Sequence, residues 1–137
     1  LLSTIVTDIG DVEFGKKKLE ALKTEGLDTS FVKTHSGMKS NYHYVLRFGA
    51  ERTILIKHPK YPYTLPNFNE VPEWIYFSSI GEHGIEYHHQ IAKYCKENGG
   101  KLAFQPGSFQ ISLGSEKLKD VYEACEIFFC NKRHSGF

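Results

Sequence analysis

Three short apolar runs, Trp74-Ile75-Tyr76-Phe77, Leu102-Ala103-Phe104 and Ile127-Phe128-Phe129-Cys130, are separated by two stretches of helical periodicity. This spacing constrains the fold more than any other feature. Unbroken apolar runs suit strands covered on both faces, as in a parallel sheet. Strands that alternate with helices imply right-handed crossovers between parallel neighbours. The first helix is expected over about 84–97, with Ile85, His88, Ile91, Ala92 and Cys95 on one face and Gly99-Gly100 ending it. The second is expected to start at Ser115 as its cap and to bury Leu118, Val121, Tyr122 and Cys125.

Ahead of this core, Ser3-Thr4-Ile5-Val6 reads as a strand that leads through Ile9-Gly10 to a helix capped by Asp11. Val12, Gly15, Leu19 and Leu22 share a face of that helix, Gly26 ends it, and a short strand is expected at Phe31-Val32-Lys33. Tyr42, Tyr44, Leu46 and Phe48 then alternate with Asn41, His43, Val45 and Arg47. Thr53, Leu55 and Lys57 alternate with Ile54, Ile56 and His58, and Gly49-Ala50-Glu51 lies between the two runs. This is an antiparallel hairpin, inserted at about 40–58. Apolar groups on both of its faces predict packing on each side. Residues 59–72 hold four of the five prolines, and Tyr61, Tyr63 and Phe68 make this an ordered connection rather than a linker.

The 137 residues suit one domain, and 40% hydrophobic with 24% charged residues excludes a disordered chain. The net charge is +1 and the only basic cluster is Lys16-Lys17-Lys18, a solvated helix face, so no nucleic-acid footprint is expected. No apolar run is long enough to cross a bilayer, and no membrane partner is expected. Cys95, Cys125 and Cys130 are too few for a disulfide framework and read as thiols in a reducing, cytoplasmic setting.

Several landmarks occur in order along the chain. They are Thr7-Asp8-Ile9-Gly10-Asp11-Val12-Glu13-Phe14-Gly15, Leu22-Lys23-Thr24-Glu25-Gly26-Leu27-Asp28-Thr29, Ser40-Asn41-Tyr42-His43-Tyr44, Glu51-Arg52-Thr53-Ile54, Phe77-Ser78-Ser79-Ile80, Phe104-Gln105-Pro106-Gly107 and Phe128-Phe129-Cys130-Asn131. Together they resemble the ribokinase-like (PfkB) carbohydrate kinases, with their "G-D-D-x-F-G", "L-x-x-x-G-V-D-T", two lid strands, sugar-facing strand end, "x-N-P-G" and the strand entering "N-x-x-E". The resemblance implies an α/β fold: a partial ribokinase-like parallel sheet with flanking helices and a protruding antiparallel lid hairpin. The chain is then expected to be one partial domain over 1–137, with its parallel core at about 73–131.

The resemblance also implies phosphoryl transfer from ATP to a sugar or nucleoside hydroxyl, with Mg²⁺, in a longer chain. That chemistry rests on an aspartate base and a cradle of backbone amides. Relatives carry both in a "G-A-G-D" segment, which does not occur here; their two-glycine sugar motif is missing as well. No P-loop or G-x-G-x-x-G replaces them. The chain is therefore expected to be a central fragment with no catalytic residue and no cofactor of its own. Gln105 replaces the asparagine of "x-N-P-G", and His134 stands at the glutamate position of "N-x-x-E", where an imidazole serves Mg²⁺ poorly. The unusual run from Arg133 to the end points to a frame slip, a truncated reading frame or an added tail.

Candidate contacts follow from the strand-end rule and from the resemblance. Ligands of open α/β sheets sit at the carboxyl ends of strands. Ser78, Ser79, Gln105 and Gly107 lie at two such ends, and Asn131 closes a third near the nucleotide and Mg²⁺. Tyr42 and Tyr44 match lid aromatics that stack on a substrate. The alternative roles are serine capping and hairpin packing. A second reading is a non-catalytic binding or self-assembly module. A third is a small metal protein built on Glu82, His83, Glu86, His88 and His89, but the H-E-x-x-H pattern is missing and His88 falls on the buried stripe, so no metal site is assigned. Unpaired strands predict a homo-oligomer, formed through the hairpin or through an open sheet edge.

Overall fold

The computed structural model describes residues 3–130. The chain divides into two compact units, Leu1–Tyr61 and Pro62–Phe137. The first contains β1 (Thr7–Gly10), α1 (Glu13–Thr24), β2 (Val32–His35) and a hairpin of β3 (Tyr42–Phe48) and β4 (Glu51–Lys57). The second contains β5 (Trp74–Ser78), a 3-10 turn (Glu82–Gly84), α2 (Ile85–Asn98), β6 (Lys101–Gln105), α3 (Ser108–Ser112), a second 3-10 turn (Glu116–Leu118), α4 (Lys119–Glu123) and β7 (Cys125–Phe128).

In the first unit β1 and β2 run parallel, with Thr7 opposite Val32 and Gly10 opposite His35. The expected opening strand starts later than Ser3: Thr4 makes only an isolated bridge to Asp28. The position of β2 sets where the ladder begins. Asp11 is not the helix cap. Val12 occupies that position without a side-chain bond, and the Asp11 carboxylate instead accepts the Gly37 N–H (2.9 Å) and the Ser36 hydroxyl (3.0 Å) beyond β2. The turn that follows β2 holds this carboxylate in place of the helix end. α1 ends as expected. Gly26 sits at φ +74, its N–H reaches the Lys23 carbonyl and the Leu27 N–H reaches the Leu22 carbonyl, the paired bonds of a Schellman end.

The start of α1 depends on glycine for a steric reason. A Cβ on Gly15 would lie 1.7 Å from the Gly10 carbonyl oxygen, and one on Gly10 would lie 1.9 Å from the Met38 oxygen. Only bare backbone lets helix, strand and returning loop approach this closely.

The hairpin pairs Tyr42 with Lys57 through Phe48 with Glu51, around a two-residue Gly49-Ala50 loop. Gly49 takes φ +58, as a glycine-first tight turn requires. Packing on both faces was expected. Every residue of β3 and β4 is exposed instead.

The second unit holds a parallel sheet in the order β5-β6-β7. α2 and α4 cover one face. Phe77, Leu102 and Phe104 from the strands meet Ile91, Ala92, Cys95, Leu118 and Val121 from the helical side. Full burial of a Leu or Phe side chain contributes about 2 kcal/mol, and Leu102 and Phe104 have no exposed surface. The other face carries Trp74 (42% exposed), Tyr76 (59%), Ile127 (42%) and Phe129 (46%). The apolar run at 74–77 therefore covers one buried and one open face, not two buried ones. Lys101 lies over the Trp74 ring at 5.3 Å, and Tyr76 meets Phe129 edge-on at 6.0 Å.

The single helix expected from Ser115 is instead two short pieces, the second 3-10 turn and α4, preceded by the separate α3, and Ser115 makes no cap bond. Gly114, at φ +77, separates α3 from the second 3-10 turn. β7 begins at Cys125, two residues before the apolar run suggested, because Leu102 of β6 pairs with Cys125.

Candidate functional site: the rim of a parallel sheet

β5 and β6 are in register, with Ser78 opposite Gln105. Their carboxyl ends therefore lie side by side, and the sheet brings Ser78, Ser79, Gln105 and Gly107 onto one rim. Gln105 accepts the Tyr76 hydroxyl through Oε1, which leaves its amide nitrogen in the role of donor. Ser79 donates to Gln110 Oε1 at 3.0 Å, and the Gly107 N–H donates to the same oxygen at 3.1 Å. The Ser79 hydroxyl proton is thus committed to Gln110, and the oxygen's remaining capacity is that of an acceptor. Gly107 is glycine for lack of space: a Cβ there would sit 2.4 Å from Ser79 Oγ.

Gln110 is the residue that sequence reasoning missed. It has no exposed surface, and its amide nitrogen donates to the Ile80 carbonyl at 2.8 Å. It lies three residues after Gly107, so its side chain returns to the backbone N–H of the helix cap. Glutamine at the third helical position is the legible signal for that bond. His88 supports it from α2. The ring is fully buried, with Nδ1 2.8 Å from the Gly84 carbonyl and Nε2 3.3 Å from the Gln110 nitrogen. Burial pushes the His88 imidazole below its ordinary value; its bond to Gly84 opposes that in part.

The histidine-rich segment does not converge on a metal. His83 stacks on Tyr63 at 5.3 Å, His88 lies in the core, and His89 Nδ1 donates to the Asp120 carboxylate at 2.8 and 2.9 Å. Among the described residues, no three His, Cys, Asp or Glu side chains are grouped to hold a metal ion. Asn131, expected near the nucleotide and Mg²⁺, lies outside the described residues.

Tyr42 and Tyr44 point to one face of β3 in the first unit, their rings 5.4 Å apart and edge-on, 39% and 63% exposed. That unit also holds a polar cluster with no sequence signature. His35 Nε2 donates to Asp8 Oδ1 at 2.5 Å, and the His35 ring stacks on Tyr61 at 4.8 Å. The Tyr61 hydroxyl donates to the Lys39 carbonyl at 2.6 Å, and burial raises the Tyr61 phenol above its usual range. The Gly10 N–H donates to the buried Ser40 hydroxyl at 3.0 Å.

The second unit is an open parallel α/β sheet with polar groups at its strand ends. The particular fold is that of the ribokinase (PfkB) sugar and nucleoside kinases. The nucleoside kinase of Methanocaldococcus jannaschii superposes with a TM-score of 0.73 at 17% identity, over 96% of this chain and 44% of that one. The Burkholderia thailandensis nucleoside kinase in complex with inosine gives 0.68 at 12% identity, over 93% and 42%. A sugar kinase of Pyrococcus horikoshii in complex with ATP gives 0.65 at 18% identity, over 93% and 47%. The chain spans between 42% and 49% of the length of such structures. No protein-family profile matches the chain. No curated protein matches it. Among the described residues no helix is long and apolar enough to cross a membrane.

Proposed function

We propose that this chain is the acceptor-side portion of an ATP-dependent sugar or nucleoside kinase, and that the 137 residues alone do not transfer phosphate. One observation carries the reading: the strand ends of β5 and β6 gather Ser78, Ser79, Gln105 and Gly107 on a single polar rim. An oxygen that only accepts and an amide that only donates suit the hydroxyls of a sugar or ribose. The fold shared with kinases described with inosine and with ATP supports the same substrate class. ATP and Mg²⁺ belong to the longer kinase, with Asn131 beside them; Tyr42 and Tyr44 serve that longer kinase as substrate-binding aromatics. The partial domain over 1–137 and a cytoplasmic setting are part of the same proposal.

The chemistry supports the proposed lack of activity. Removing one preorganised donor from an anion hole costs about 10²–10³ in rate, and here both the base-bearing segment and its amide cradle are missing from the sequence. The test is a titration of the isotope-labelled chain with inosine, ribose and ATP-Mg²⁺, followed by NMR. Weak shifts confined to the amides of Ser78, Ser79, Gln105 and Gly107 with the nucleoside or sugar, and none with ATP-Mg²⁺, are expected. Ordinary affinity for ATP-Mg²⁺ would overturn the reading.

A second reading, a self-assembling binding module, is favoured by the hairpin. Val45, Leu46, Phe48, Leu55 and Ile56 are each more than half exposed. Such a ribbon, or the open edge of β7, would pair with a second copy. The two readings are compatible, since a kinase portion that binds acceptors weakly can also associate.

A further inference from the structure

His88 and Gln110 form a buried polar pair that connects helix α2 to the rim, and nothing in the phosphoryl-transfer reading requires it. Both side chains have no exposed surface. The hydrogen-bonding roles of their atoms are fixed by their neighbours. The Gly84 carbonyl can only accept, so Nδ1 of His88, 2.8 Å away, carries the proton. Nε2 then presents a lone pair to the Gln110 amide at 3.3 Å. The second amide hydrogen of Gln110 goes to the Ile80 carbonyl at 2.8 Å. Oε1 faces two donors, the Ser79 hydroxyl at 3.0 Å and the Gly107 N–H at 3.1 Å. One orientation of the amide satisfies all four contacts, and only with a neutral imidazole.

We propose that His88 and Gln110 act as a proton-operated latch on the strand-end rim, closed while His88 is neutral and released when its Nε2 gains a proton. The added proton sets a donor against the Gln110 N–H. Turning the amide over relieves that contact but places the NH₂ against the Gly107 N–H, and the oxygen against the Ile80 carbonyl. One buried contact fails if the amide stays and two fail if it turns, each a costly loss. Repulsion at Nε2 pushes Gln110 away from the ring, and its hold on the loops bearing Ser79, Ile80 and Gly107 is loosened. The inference goes beyond the kinase reading and holds whether or not a ligand binds.

The surroundings of the ring determine when this happens. Phe77 from β5 packs at 4.7 Å and Phe104 from β6 at 6.0 Å, both edge-on. Asp120 on α4 favours the cation, but its carboxylate is held by His89, and His89 itself opposes a second charge. Burial outweighs Asp120, so the latch opens below the ordinary imidazole value of 6.5.

The test is an NMR pH titration of the 137-residue chain from pH 7.5 to 4.5. It follows the His88 ring carbons and the amides of Gly107, Ser79 and Ile80, with hydrogen exchange corrected for intrinsic rates. The latch requires the Gly107 protection factor to fall about tenfold with the midpoint of the His88 ring. It also requires His88→Phe, which keeps an aromatic ring between Phe77 and Phe104, to remove that transition. The titrating wild type decides the matter even if the variant fails to fold. A Gly107 amide that is indifferent to the His88 titration overturns the proposal, and so does global unfolding before any local change.

Discussion

His35 and Asp8 meet across neighbouring parallel strands with Nε2 and Oδ1 2.5 Å apart, each side chain only 11% exposed. The register of β1 and β2 offsets them by two residues, because His35 stands opposite Gly10 and Asp8 opposite Lys33. Removing one partner of a nearly buried pair leaves the other without compensation. Asp8→Ala should therefore lower stability by about 3 kcal/mol, read as a shift in the urea midpoint at unchanged slope. His35→Phe retains the stack on Tyr61 but strands Asp8. The double-mutant cycle should return a coupling of about 2 kcal/mol; additive effects would mean that the contact contributes nothing.

Gly15 makes a sharper stability prediction. Its missing Cβ is replaced by the Gly10 carbonyl oxygen, 1.7 Å from where the carbon would sit. Gly15→Ala must push strand and helix apart, and should cost more than about 3 kcal/mol, at the upper end of overpacking. Gly99→Ala has open space around it but sits at φ +77, so it should cost only about 1 kcal/mol. Thermal unfolding of the two variants ranks them; equal losses would contradict the close approach.

Acid should weaken the second unit through His88. Its imidazole is held below 6.5 in the folded chain by burial, so below pH 6.5 the unfolded chain binds a proton that the folded one refuses. The stabilisation is complete above that value. It is lost as pH falls from 6.5 toward the folded value, at up to about 1.4 kcal/mol per pH unit. His88→Phe should flatten this limb of the curve of melting temperature against pH. An unchanged limb would assign the loss to other groups.

The hairpin should drive concentration-dependent association. Leu46 and Leu55 lie on the face of Tyr44, because Tyr44 pairs with Leu55 and Leu46 with Thr53, and they are 57% and 51% exposed. Leu46→Lys with Leu55→Lys should raise the dissociation constant at least about tenfold, the cost of placing charges in an apolar contact. Light scattering coupled to size exclusion measures it. A wild-type chain that stays monomeric at high concentration would remove both the hairpin and the open edge as contacts.

Much of this architecture was legible in the residues. The runs at Trp74, Leu102 and Ile127 announced three parallel strands, and alternation around Gly49 announced the hairpin, because each signal is local and periodic. Exposure was less legible. The run at 74–77 has apolar groups on both faces, yet the register places Tyr76 beside Ala103 and Ile127 on an open face, and no pattern within one strand reveals what covers its neighbours. The Ser115 helix was overestimated because its first turn winds as a 3-10 helix up to the buried Leu118 before α4 begins, a change that no periodicity in the residues marks. For the rim, the strand-end rule located Ser79 and Gly107. It could not show that Gln110 holds both, since that bond joins residues 31 apart in the chain.

The central claim is that these residues carry an acceptor rim without the machinery that moves phosphate. The most direct measurement is ADP formation by the purified 137-residue chain with ATP-Mg²⁺ and a panel of sugars and nucleosides. The account predicts no acceptor-dependent ADP above the enzyme-free blank. Acceptor-dependent turnover that Ser79→Ala abolishes would contradict it.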